Sequence, residues 1–367
     1  MKIPLFSLFF LLAIFSSAQV VSPADSSMTP QEKRYRDSIA GLNQQSKDLA
    51  EAQTSYNNGI KEFEGKEFSK SIVSFTKAIE LKPDFVKAFI NRAVAYTENK
   101  EYEKAYDDYT KLIALNEDIL RCYFKRAEVS TLGGNYSKAA EDYNLLIRKS
   151  PNDYKPLHEL GEVQFLMGKY DEASKTLTKC LELSNKFAKA YNDRASCYRM
   201  LGKFQEALND MNKAVLFDPK ADYAYNNLGS LLKLMKQYTP SIEAYSKAVE
   251  INPSYFIAYN NRGTVYLLKD QADKAMSDFD NAIRINSSYV PAIINKGICF
   301  HKMEKFSDAL KLFDEAIKLN PNGGDAYMNR GISREMLRDD KGACTDWQKA
   351  LDLGIDGAKK YIDANCN

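Results

Sequence analysis

Residues 222–255, DYAYNNLGSLLKLMKQYTPSIEAYSKAVEINPSY, and residues 256–289, FIAYNNRGTVYLLKDQADKAMSDFDNAIRINSSY, are two frames of one pattern. A step of 34 residues from Gly229 reaches Gly263, and continuing in both directions yields Gly59, Ala93, Ala127, Gly161, Ala195, Gly229, Gly263, Gly297 and Gly331. A second column, Ser71, Ala105, Ala139, Ala173, Ala207, Ser241, Ala275, Ala309 and Ala343, is also small throughout. The register runs from about Ser55 to Leu353 without insertion or deletion, nine copies in all, so the chain reads as a tandem array.

Large side chains lie between the small columns, because helices that approach closely at one level must fill the space above and below. The column Phe75, Tyr109, Tyr143, Leu177, Met211, Tyr245, Phe279, Phe313, Trp347 supplies this bulk. Another, Phe68, Tyr102, Tyr136, Tyr170, Phe204, Tyr238, Ala272, Phe306, Asp340, is placed to plug the turn between two helices. Proline or a polar residue, as at Pro83, Pro151, Pro219, Pro253 and Pro321, stops each second helix. With a small residue on the first helix, small residues on the second, an aromatic between them and a closing proline, the unit resembles the tetratricopeptide repeat. That resemblance implies an all-α, right-handed superhelical solenoid of helix-turn-helix repeats, whose units bury their apolar faces only against neighbours and whose first helices line a concave wall.

The ends read differently. Met1-Lys2, the apolar run Leu5 to Phe15 and Ser16-Ser17-Ala18 have the three parts of a secretory signal, with a cut after Ala18. The run is too short for a bilayer span and no cysteine follows the cut, so neither a membrane anchor nor a lipoprotein is expected. The expected organisation is a signal at 1–18, a disordered or partly helical segment at 19–50, nine repeats at 51–354 and a capping helix at 355–367. Export to a periplasm, cell surface or medium follows, or to the endoplasmic reticulum lumen or beyond in a eukaryote.

Fifty-one Lys and Arg stand against 49 Asp and Glu, and acids and bases share the same helices, which argues against nucleic acid as a partner. Cys122, Cys180, Cys197 and Cys299 occupy columns of alanine and valine and read as small core residues. Cys344 and Cys366 differ, because Gly354 and Asp356 turn the chain into a final helix that brings Cys366 opposite Cys344; a disulfide is expected there.

Comparing the repeats with one another exposes a coupled pair of positions. Arg92, Arg126, Arg194, Arg262 and Arg330 precede the small column, and the same repeats carry Asp108, Asp142, Asp210, Asp278 and Asp346 sixteen residues later. Repeats without the arginine lack the aspartate, as in Leu160 with Thr176 and Leu228 with Ala244. Five partly buried ion pairs between the helices of a repeat are expected, orienting the helices more than stabilising them.

One first-helix column reads Asn57, Asn91, Lys125, Glu159, Asp193, Asn227, Asn261, Asn295, Asn329, with further asparagines at Asn192, Asn226 and Asn260. A carboxamide donates and accepts, so it can pair with a peptide unit whatever the peptide's sequence. The column resembles the asparagine ladder of peptide-binding tetratricopeptide solenoids, but the same groups can equally bond neighbouring turns, and the sequence leaves both readings open. Lys87, Arg121, Lys155 and Lys189 form a basic column that loosely resembles a carboxylate clamp, with a solvated edge as the alternative. His158 and His301 lie in different repeats and are expected to face solvent in the groove; neither a metal site nor a catalytic arrangement is suggested. The reading is an exported, non-catalytic, monomeric scaffold that binds a protein or extended peptide in its groove, without nucleic acid, membrane span, metal or small-molecule cofactor. Capture of unfolded chains by an assembly factor and service as a regulatory subunit of an envelope complex are the alternatives.

Overall fold

The computed structural model describes residues 28–366; the expected signal at 1–18 lies outside them. Among the described residues every regular element is a helix. They fall into two compact units divided between Leu115 and Asn116. The first unit holds α1 (Pro30–Glu64), α2 (Phe68–Leu81), α3 (Val86–Glu98) and α4 (Tyr102–Ala114). The second begins with α5 (Ile119–Leu132), α6 (Tyr136–Lys149), α7 (Tyr154–Leu166), α8 (Tyr170–Leu183), α9 (Ala188–Met200) and α10 (Phe204–Phe217). It continues with α11 (Asp222–Leu234), α12 (Tyr238–Ile251), α13 (Phe256–Leu268), α14 (Ala272–Ile285), α15 (Val290–Lys302) and α16 (Phe306–Leu319). It closes with α17 (Gly324–Met336), α18 (Asp340–Asp352), a 3-10 turn (Asp356–Ala358) and α19 (Lys359–Asn365).

Each second helix, from α2 to α18, starts on one column, Phe68 to Asp340, so the period of the sequence is the period of the helices. A single left-handed residue makes each turn possible. Lys66, Lys100, Gly134, Gly168, Gly202, Lys236, Asp270, Glu304 and Arg338 all have φ between 57° and 77°. This residue reverses the chain and lets the next N–H close onto the first helix, as Gln237 N donates to Leu232 O at 2.8 Å. Only three of the nine are glycine, which hides this column from a reading by composition.

Packing explains the small column. A Cβ added at Gly263 would lie 2.6 Å from the Phe279 ring, so the ring lies directly on the α13 backbone. Phe279 is fully buried there, worth about 1.5–3 kcal/mol relative to exposure. Within the second unit, first helices touch first helices in the series α7, α9, α11, α13, α15, α17, so they form one continuous wall.

Both ends depart from a bare array. Thr29 and Glu32 form a capping box with Pro30 in the first turn, and the helix they start runs unbroken to Glu64. The segment 30–50 is therefore part of the first repeat's helix. At the other end Gly354 takes φ 87°, the chain folds back, and Tyr361 lies against Trp347 with ring centroids 5.1 Å apart. Cys344 and Cys366 are joined across this hairpin with Cα atoms 5.6 Å apart. Cys122, Cys180, Cys197 and Cys299 are buried thiols. Burial pushes Cys180 and Cys197 up to about 12 and Cys299 up to about 11, so these thiols are inert in the folded chain. Titration of unfolded, unreduced protein is expected to count four thiols, and reduction to cost about 3 kcal/mol through the 22-residue loop. A count of six would show that the bridge does not form.

Candidate functional site

The five arginine–aspartate pairs lie as two-pronged bridges. Arg262 Nε and Nη2 donate to Asp278 Oδ2 and Oδ1 at 2.8 and 2.7 Å, and Arg92–Asp108, Arg126–Asp142, Arg194–Asp210 and Arg330–Asp346 repeat that geometry. The third nitrogen reaches back one repeat: Arg92 Nη1 donates to Thr76, Arg194 to Thr178, Arg262 to Ser246 and Arg330 to Asp314, at 2.6–3.0 Å. Each of these four arginines ties three helices. Burial holds the Asp278 carboxyl above its usual range even against Arg262, as it does Asp108 against Arg92, so for these carboxylates desolvation outweighs the attraction.

The asparagines pair with one another at an offset of 35 residues. Asn227 Nδ2 donates to Asn192 Oδ1 at 2.9 Å, Asn261 to Asn226 at 3.0 Å and Asn295 to Asn260 at 2.9 Å. Asn192, Asn226 and Asn260 are buried, which corrects their expected place at the groove surface: as buried acceptors they need the next repeat's donor. Asn227, Asn261 and Asn295 remain half-buried on the first-helix wall. Asn91 donates to Tyr56 Oη at 2.9 Å in the first unit. Asn329 donates to Asp325 O on its own helix and does not join the row, since Ile294 stands where a partner asparagine would be.

In α7 and α9 the same offset carries ionisable groups. His158 Nε2 lies 2.8 Å from Asp193 Oδ2, and its Nδ1 lies 3.1 Å from Glu159 Oε1 and 4.0 Å from Glu162 Oε2. His158 is 2% exposed and covered by the Phe187 ring at 4.9 Å, so it does not face solvent as expected. Burial pulls its imidazolium down, but the bonds to Asp193 and Glu159 and the charges of Asp193 and Glu162 outweigh this and raise it to about 9. His301 is half-buried, with Nδ1 3.0 Å from Ser333 Oγ, and burial lowers it. Lys87, Arg121 and Lys155 are exposed, and Lys189 is drawn to Glu162 Oε1 at 3.0 Å, so the last member of the basic column is paired with an acid.

Beside this cluster a cavity of about 390 Å³ opens between α5, α7, α8, α9 and α11. Phe165, Leu166 and Leu177 give it an apolar floor, and Glu162, Asp193, Arg199 and Asn227 give it a polar rim. Sequence reasoning missed Arg199 and the His158 cluster. The signal for the cluster was a polar residue at both ends of a 35-residue step, His158 and Asp193, one beyond the period.

Models of the family described as tetratricopeptide repeat match residues 86–119, 153–220, 223–255, 244–276 and 290–322. A search of curated proteins finds no match. Among solved structures, a tetratricopeptide repeat protein from Parabacteroides merdae aligns at TM-score 0.55 and 21% identity, over 68% of this chain and 99% of that one. PilF of Pseudomonas aeruginosa aligns at TM-score 0.51 and 18% identity, over 57% of this chain and 96% of its own. At these identities the likeness concerns the fold.

Proposed function

The chain belongs to the tetratricopeptide repeat family, and on that premise we propose that it is an exported scaffold holding an extended segment of a protein partner along its wall of first helices. The observation that carries this reading is the cavity between α7, α9 and α11. A side chain of the partner enters over Phe165 and Leu177, while its main chain meets the free oxygen of Asn227 and the Arg199 guanidinium at the rim. Export is supported by the signal-like start and by the Cys344–Cys366 bridge, a cross-link that persists in oxidising compartments. No reaction is assigned to the scaffold.

Capture of unfolded chains on the same wall is favoured by one feature. Leu132, Leu166, Met200, Leu234 and Leu268 end five successive first helices, and each is about half exposed. A photo-crosslinking residue at position 199, in the cavity, and another at position 216, on α10 and 69% exposed, test both readings in the native host. A discrete adduct at 199 that is absent at 216 supports a dedicated partner, and a broad smear at 199 supports general capture. Equal labelling at both positions would overturn the wall as the binding surface.

A further inference from the structure

We propose that His158, Glu159 and Glu162 form a binding site for one divalent first-row metal ion of the zinc type, oriented from behind by Asp193. Three ligand atoms, one from each residue, lie within 4.8 Å of one another. Imidazole nitrogen with two carboxylates on a single helical turn is a donor set suited to zinc and its neighbours rather than to magnesium.

Geometry makes this more than a group of acids. Asn227 donates to Asn192, Asn192 Nδ2 donates to Asp193 Oδ1 at 2.9 Å, and Asp193 Oδ2 takes the Nε2 end of His158. That chain fixes the proton on Nε2 and turns Nδ1 toward Glu159 and Glu162. Nδ1 then faces Glu159 at 3.1 Å and Glu162 at 4.0 Å, and a metal ion that displaces the proton from Nδ1 would meet one nitrogen lone pair and two carboxylates. A carboxylate behind one ring nitrogen and a cation at the other is the arrangement that orients metal-bound histidines. In the next three repeats the equivalents of His158 are Asn192, Asn226 and Asn260, whereas the other copies carry Tyr56, Ile90, Phe124, Ile294 and Met328, so His158 is the one histidine in the column. Glu159 and Glu162 are each about a third exposed, which leaves the ion a solvent side for water ligands. Lys189, now on Glu162, must swing away as the ion enters.

The test is calorimetric titration of tag-free, disulfide-intact protein with zinc chloride, with magnesium chloride alongside. The parent is expected to bind one zinc ion and to melt higher with it. His158→Asn, which installs the residue of the equivalent rungs and should fold for that reason, is expected to abolish this binding. Asp193→Asn keeps the hydrogen-bonding shape and is expected to weaken it about 10–100-fold, and Glu162→Gln at least about 10-fold by loss of a charged ligand. Circular dichroism establishes that each variant is folded. No binding by the parent means that a proton alone fills the gap, and unchanged binding in His158→Asn means that zinc sits elsewhere; either result overturns the site.

Discussion

Asp278→Ala is expected to lower stability by about 3–5 kcal/mol, among the largest losses available to a single substitution in this chain. Asp278 is 3% exposed, and the Arg262 guanidinium that faces it spends two nitrogens on its carboxylate and a third on Ser246 of the preceding repeat. Truncation leaves that cation without a counter-ion, held by the Ser246 hydroxyl and the faces of the Tyr259 and Tyr266 rings. The chain supplies its own control. Leu228 with Ala244 occupies the equivalent positions in the sixth repeat, both buried, so Arg262→Leu combined with Asp278→Ala is expected to recover most of the loss. The pair then costs much when broken and little when replaced whole, the behaviour of a contact that orients α13 against α14 more than it stabilises them. Urea unfolding measures both variants, and hydrogen exchange in α13 and α14 locates the opening, since a repeat array can open locally. A single mutant that unfolds like the parent would show that water already reaches the pair.

How much of this was legible in the sequence follows from which contacts respect the period. Gly263 with Phe279 and Arg262 with Asp278 are contacts between the two helices of one repeat, so each recurs at a fixed offset of 16 residues and shows itself by comparison among copies. Leu228 with Ala244 strengthened that reading because both partners changed together. The His158 cluster escaped because its members lie on different repeats: Asp193 was read within its own column, as one more polar residue on the wall, and not against the residue 35 positions earlier. Burial decided the rest. Asn192, Asn226 and Asn260 look like surface groups by composition, and only the packing of α9, α11 and α13 shows that their oxygens have lost water and taken a neighbour's amide instead. The left-handed column escaped notice because lysine, aspartate, glutamate and arginine occupy six of its nine positions at a conformational cost of about 1–2 kcal/mol each.

That hidden pairing changes what the asparagine row can be used to prove. Replacing Asn227, Asn261 and Asn295 together by alanine removes the donors for three buried oxygens, on Asn192, Asn226 and Asn260. Each orphaned acceptor is expected to cost about 1–3 kcal/mol, and because the rungs follow one another through consecutive repeats the sum need not be additive. The triple variant should therefore unfold at much lower urea than the parent, before any partner is added. Asn329→Ala is the matched control: its side chain bonds only the Asp325 carbonyl of its own helix, and its removal should stay within about 0.5 kcal/mol. If the triple variant were as stable as Asn329→Ala, the rungs would be bonded to water and the row would be free to serve a bound peptide with both ends of each amide. If it is destabilised as expected, each of Asn227, Asn261 and Asn295 has spent one N–H on its neighbour and keeps its Oδ1 and its second N–H for a ligand. The wall then offers one acceptor and one donor per rung, held in place by the N–H already spent, which suits the N–H and C=O groups that alternate along either edge of an extended segment.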